Sequence, residues 1–422
     1  MHHFHYQQGE MFCEQVAVQD IAAQVGTPFY LYSHATLSHH FRVFDAAFVG
    51  ISHLVCFSAK SNSNLAVLRI FINQGGGVDI VSGGELYRSL KAGADPAKIV
   101  YSGVGKRPDE ICYALKQDIL LFNIESSQEL LNLNQIAAEM GQKARIALRV
   151  NPDVDPQTHP YISTGLKRHK FGINVEQALK DYRLAQQLPY VEVVGVDCHI
   201  GSQLTELGPF IEALRRLKEL ILRLEEEKIH IQYLDIGGGL GIQYDQETPP
   251  HPREYGQAIC QELKGLGCTL ILEPGRVIVG NAGILVSRVL YTKQGEGKNF
   301  IIIDAAMNDL ARPSLYGSYH AIQPVVEKAR PEIMASLVGP ICESGDFLAR
   351  DRQMPAFEPM ELVALMSAGA YGFTMSSNYN SRPRIPEILV HQDEFYVIRE
   401  RETYEHLVWG EHIPDFLQRP SG

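Results

Sequence analysis

From residue 53 to residue 276 one unit recurs along the chain. A short apolar, β-branched run ends in Gly, Ser, Asn, His or an acid, and a helical stretch usually follows. The runs are HLVCFSA (53–59), GVDIVS (77–82), KIVYSG (98–103), ILLFNIE (119–125), ARIALRV (144–150), EVVGVDCHI (192–200), YLDIGGG (233–239) and LILEPGR (270–276). Strands that are apolar throughout are buried on both faces, as in a parallel sheet covered by helices. Eight such units predict a closed (β/α)8 barrel. The competing arrangement is an open doubly wound sheet, but no GxGxxG turn follows the first run. Between the sixth and seventh runs, Phe210, Leu214, Leu217, Ile221 and Leu224 fall on one face of a predicted helix.

Beyond residue 282 the pattern changes. GILVSRVLYTK, NFIIIDAAM, ELVALMSAG and EFYVIRERETYEHLV read as strands without intervening helices, which predicts an antiparallel β domain. MFCEQVAV, near the N-terminus, also reads as a strand and is expected to join that domain before the chain enters the barrel. The expected division is an N-terminal segment over 1–35, the barrel over 36–281 and the β domain over 282–422. A length of 422 residues suits two domains.

A formal net charge of -11 disfavours nucleic acid as a partner, because phosphate binding needs a basic face. No apolar run approaches the roughly 20 residues of a membrane span. MHHFHYQQGEMFCEQ has no apolar stretch of the signal-peptide kind, and His2, His3 and His5 read as a tail rather than a metal site. The seven cysteines are scattered, with no CxxC, so a reducing, cytoplasmic setting is expected and no metal site is.

In such a barrel, chemistry sits at the C-terminal ends of the strands. The first run ends in Lys60, either a solvated charge or an amine able to form a Schiff base with a carbonyl group. The sixth ends in His199 and Ser202, a structural histidine or an imidazole facing a cofactor ring. The seventh ends in Gly237, Gly238 and Gly239, a tight turn or an N–H cradle for phosphate. The eighth ends in Glu273, Pro274, Gly275 and Arg276. Glu273 could close an ion pair or keep a pyridine nitrogen protonated, making that ring an electron sink. Together these describe a pyridoxal 5'-phosphate site. A metal-centred alternative would use His199, Asp235 and Glu273, but leaves Lys60 and the glycines unexplained.

FSAKSN, HIGSQ, DIGGG, EPGR, RPSLYGSYH, GPICESGD and NYNSRPR, in this order, resemble diaminopimelate decarboxylases. These belong to the pyridoxal-phosphate superfamily of alanine racemase and the basic amino-acid decarboxylases. The resemblance runs from about Phe4 to Trp409 and includes THPYISTGLKRHKFGI (158–173). It implies that Lys60 holds the cofactor and that His199 stacks on its ring. Ser202, Gly238, Gly239, Glu273, Gly275, Arg276 and Tyr371 would surround it. For substrate it implies Arg276, Arg312 and Tyr316 at a distal carboxylate, Glu343 at the distal ammonium and Tyr371 at the border. Cys342 would be the acid that protonates the α-carbon. Its neighbours Glu343 and Asp346 are expected to disfavour the thiolate. The implied reaction converts meso-2,6-diaminopimelate to L-lysine and carbon dioxide, in a homodimer whose active sites lie at the subunit interface. Other readings are a sister decarboxylase for another basic or D-amino acid, and a non-catalytic regulatory homologue. The second fits poorly, since Lys60 and Cys342 are both present.

Overall fold

The computed structural model describes residues 2–154 and 170–418. Most of the 158–173 stretch therefore lies outside the described residues. All eight expected runs form strands: β1 (His53–Ser58), β2 (Gly77–Ile80), β3 (Ile99–Tyr101), β4 (Leu121–Ile124), β5 (Ala144–Asn151), β6 (Val191–Asp197), β7 (Tyr233–Asp235) and β8 (Thr269–Leu272). Each pairs in parallel with its neighbour, and β8 pairs with β1, with Ile271 opposite Leu54. Pairing of β4 with β5 completes the ring. The sheet is thus a closed barrel, and its strands are buried because side chains fill the inside and helices cover the outside.

The helix expected between the sixth and seventh runs spans Gly208–Glu226. It buries Phe210, Leu214, Leu217, Ile221 and Leu224. That stripe packs into the core cluster holding the barrel strands. Ordinary burial is worth about 25 cal/mol per Å2 of apolar surface, so a stripe of five large side chains fixes this helix strongly.

The β domain is built on Gly283–Gly295, a 13-residue strand shared by several partners. It pairs antiparallel with Lys298–Ile303, Leu362–Leu365 and Phe29–Ser33. Two expectations change here. MFCEQVAV does not enter this sheet. It divides between Glu10–Cys13 and Val16–Ala17 in a separate three-stranded sheet with Phe4–Gln7. That small sheet is attached through a bridge from Glu10 to Val326 and a shared apolar cluster. The N-terminal strand that does enter is FYLYS, Phe29–Ser33, buried at every position. EFYVIRERETYEHLV is a strand only over Glu394–Arg399, and Tyr404–Leu407 is a helical turn. Glu332–Val338, Phe347–Pro355 and Glu387–His391 add strands that the sequence pattern did not single out.

Candidate active site

Lys60 leaves β1 in the short turn Ala59–Ser61. Its Nζ donates to Asp79 Oδ2 at 3.0 Å, and the same oxygen takes the Ser58 hydroxyl at 2.6 Å. Asp79 sits in β2 and is fully buried. Burial works against the Lys60 charge. The carboxylates of Asp79 and Glu273, with Tyr371, outweigh it and raise the pKa. Lys60 is thus a fixed ammonium at the barrel mouth, with its stem partly exposed.

Glu273 follows β8 and accepts the Ser102 hydroxyl at 3.3 Å. Asn123 in β4 donates to Ser102 Oγ at 3.0 Å and to Asp235 Oδ2 at 3.2 Å. Burial, then the charges of Asp235 and Asp79, push the Glu273 carboxyl well above the usual range. Burial also raises Asp235, to about 6. Acids crowded in a low-dielectric floor cannot all ionise. Glu273 therefore binds a proton readily, and as a carboxylate it can share that proton with a ring nitrogen placed against it.

Backbones converge around the glycines after β7. A Cβ on Gly238 would lie 2.3 Å from the Glu273 carbonyl oxygen, and one on Gly239 would lie 2.6 Å from that of Gly201. Gly239 also has φ +115°. The expected N–H cradle is narrower than three amides. The Gly237 N–H donates to Asp235 Oδ1 at 2.9 Å, and the Gly238 N–H donates to His199 Nδ1 at 3.3 Å. Close approach is thus the main reason for glycine here. His199 Nδ1 acts as an acceptor. Burial, with Arg149 and Lys60 nearby, lowers the His199 pKa well below its ordinary value, so the ring is neutral.

Arg276 starts a short helix at Arg276–Val279. Its Nη1 donates to the Tyr244 hydroxyl at 2.8 Å and its Nη2 to Ser202 Oγ at 3.0 Å. Its Nε is buried without an acceptor. Arg312, buried at the start of Arg312–Tyr316, bonds His320 Nε2 at 3.1 Å and Ser318 Oγ at 3.3 Å. Among the described residues, neither guanidinium makes an ion pair. Buried arginines normally have an acidic partner, so this pair is arranged for an incoming anion. Tyr371 lies under Arg276, with the guanidinium 5.0 Å from its ring centroid. Its φ of +55° is uncommon for a bulky residue, and its N–H donates to Ser61 O at 2.8 Å.

A cavity of about 990 Å3 is lined by Lys60, His199, Ser202, Glu273, Arg276, Arg312, Tyr316 and Tyr371. A narrower extension runs past Gly238, Gly239 and Gly275. Cys342 and Glu343 do not line either space. Cys342 is exposed, and its N–H donates to Asn380 Oδ1 at 2.8 Å. Glu343, also exposed, is hydrogen-bonded to Tyr379. Asp346 accepts the N–H groups of Met307 and Ile341 at 2.8 and 2.7 Å, so its carboxylate builds the loop. Asp79, Ser102, Asn123, Tyr244 and His320 were not anticipated. Asp79, Ser102 and Asn123 were visible as polar letters within or ending apolar runs.

The side chains fit pyridoxal phosphate: an amine at the mouth, a proton-holding acid, a neutral imidazole, an unsatisfied buried guanidinium N–H and a crevice only glycine permits. No group of three or more His, Cys, Asp or Glu among the described residues is disposed to hold a metal ion. A family model, "Pyridoxal-dependent decarboxylase, pyridoxal binding domain", matches residues 34–280. Fold, site and this match together make the chain a barrel-fold pyridoxal-phosphate decarboxylase. Diaminopimelate decarboxylase of Pseudomonas aeruginosa is 52% identical over 97% of this chain and 99% of its own. The crystal structure of the Helicobacter pylori diaminopimelate decarboxylase complexed with L-lysine superposes with a TM-score of 0.90 at 42% identity, covering 92% of this chain and 98% of that one. The M. jannaschii enzyme in complex with L-lysine gives 0.93 at 38% identity, over 98% of both chains. Within its class, the chain belongs to the diaminopimelate decarboxylase family.

Proposed function

We propose that this protein removes the carboxylate from one end of meso-2,6-diaminopimelate, giving L-lysine and carbon dioxide. The observation that carries the reading is the buried Arg276–Arg312 pair beside the Lys60 cavity, unpaired with any acid among the described residues. A substrate with a second carboxylate would satisfy it through paired N–H bonds. Ornithine and lysine, each with a single carboxylate at the reacting end, would leave two buried charges without a partner.

Lys60 would hold the cofactor through Nζ, with Asp79 fixing that nitrogen. Glu273, supported by Ser102, Asn123 and Asp235, would keep a ring nitrogen protonated. His199, being neutral, would pack on the ring without adding charge. Ser202, Gly238, Gly239, Gly275, Arg276 and Tyr371 would surround the remainder. Bound pyridoxal phosphate supplies an electron sink for the pair released when the bond to the departing carboxylate breaks. Arg276, Arg312 and Tyr316 hold the distal carboxylate and Glu343 the distal ammonium. Tyr371 borders the substrate, and the Cys342 thiol gives a proton to the α-carbon.

A second copy of the chain completes the site in this reading. The support is that Cys342 and Glu343 are exposed and lie outside the cavity of their own chain. Mixing Lys60→Ala with Cys342→Ala then regenerates one intact site per mixed dimer, about a quarter of full activity after random re-pairing. No recovery would remove the shared site. The seven free cysteines, scattered through the chain, support a cytoplasmic enzyme of lysine biosynthesis.

The decisive test measures carbon dioxide release from meso-diaminopimelate, lysine, ornithine and arginine by the cofactor-loaded protein. Turnover of diaminopimelate alone is expected. Activity on ornithine without diaminopimelate would overturn the assignment of Arg312.

A further inference from the structure

Two residues outside the expected site lie between and behind the arginines. Tyr244, nine residues after the last residue of β7, accepts Arg276 Nη1 at 2.8 Å. Its ring lies beneath the Arg312 guanidinium, 4.6 Å from centroid to Cζ. The same ring meets His320 edge-on at 5.5 Å. His320 ends RPSLYGSYH and is fully buried. Its Nδ1 pairs with Met366 O at 2.8 Å, where it must donate, because a carbonyl only accepts. That fixes the tautomer and leaves Nε2 with a lone pair, which takes Arg312 Nη1 at 3.1 Å. A phenol and a neutral imidazole thus stabilise two neighbouring cations without neutralising either. An acid in either place would satisfy the arginines and shut out a ligand.

We propose that Tyr244 and His320 are positioning residues that hold Arg276 and Arg312 as one receptor for the carboxylate remote from the reacting carbon. The proposal rests on the function proposed above and names what sets the selectivity of that site. Positioning by a hydrogen bond to a charged group is worth about tenfold or more in affinity.

The test uses the holoenzyme and two probes. L-Lysine presents a carboxylate to the receptor, and 1,5-diaminopentane has the same chain without one. Binding is read from the cofactor absorbance. Tyr244→Phe keeps the ring and loses the acceptor, and His320→Gln shifts the acceptor that holds Arg312. Both should weaken lysine by about tenfold or more, leave the diamine within about twofold, and raise KM for meso-diaminopimelate with little change in kcat. Cofactor content and melting temperature report folding, and Tyr244→Phe alone suffices if the histidine variant is unstable. Equal weakening of both probes, or none, would overturn the positioning role. Wild-type enzyme that binds lysine no better than the diamine would instead overturn the distal-carboxylate reading beneath it.

Discussion

Replacing Gly238 by alanine tests how tightly the cofactor crevice is drawn. The added Cβ would stand 2.3 Å from the Glu273 carbonyl oxygen and 3.2 Å from its carbonyl carbon. That is roughly 1 Å short of an ordinary contact of about 3.4 Å. Both partners are backbone, so a side-chain rotation cannot relieve the clash. Overpacking of this kind costs about 1–3 kcal/mol. Alanine stiffens the unfolded chain and returns about 0.4–1 kcal/mol. The net loss centres on about 1.3 kcal/mol, or a fall in Tm of about 3–5 °C at the size of this barrel. The strain falls on the segment that carries Glu273, and shifts approaching 1 Å in a reacting array can lower rates by about a hundredfold. Thermal unfolding and an absorbance titration with pyridoxal phosphate should therefore both show a loss. Gly267→Ala is the control, because nothing stands within 4 Å of its Cβ and its φ is not in the left-handed region. A Gly238→Ala protein with the melting temperature and cofactor affinity of the parent would refute the close-approach argument.

Cys342→Ala should keep full cofactor content and lose about a hundredfold or more in turnover, measured as carbon dioxide release; undiminished turnover would return the cysteine to a surface role. Arg312→Met should lower kcat/KM for meso-diaminopimelate by about a hundredfold, the equivalent of about 3 kcal/mol from two charge-assisted bonds, while the cofactor spectrum stays unchanged. Asp235 makes stability depend on pH. Its folded pKa of about 6 lies above the unfolded value of about 3.9, so the folded state keeps a proton the unfolded chain has lost. That contribution is complete below about pH 4 and falls as pH rises to about 6, by up to about 1.4 kcal/mol per unit. Denaturant unfolding of Asp235→Asn over this range should show a flatter profile, and an unaltered slope would assign the dependence elsewhere.

The barrel was legible because its signal is local. Each strand is a continuous apolar run, and its end carries a residue type that no core strand tolerates without a reason. Phe29–Ser33 was missed although it is buried throughout, since five residues before a helix do not announce their partners. Glu332–Val338 and Phe347–Pro355 were missed because their alternation is broken, by consecutive buried Ala335, Ser336 and Leu337 in the first and by adjacent exposed Arg350 and Asp351 in the second. Such strands are held by pairing with a neighbour, which local composition does not encode. At the site, Lys60, His199, Glu273 and Arg276 could be read from strand ends. Tyr244 and His320 could not, because each matters only through arginines on other segments.

By itself the sequence determined the eight-unit order, the barrel and the chemical types at its mouth, since these follow from periodicity and strand-end residues. Tertiary structure decided which charges meet. Closure of β4 on β5 sets Asn123 between Ser102 and Asp235, below Glu273. Docking of the β domain puts Arg312 and His320 against Tyr244. It also leaves Cys342 exposed, outside the lining of its own chain's cavity. Protonation and selectivity depend on distances of about 3 Å in a low-dielectric interior, where interactions strengthen steeply. Those distances join residues far apart in the chain, 171 positions for Ser102 and Glu273, and only the folded chain fixes them.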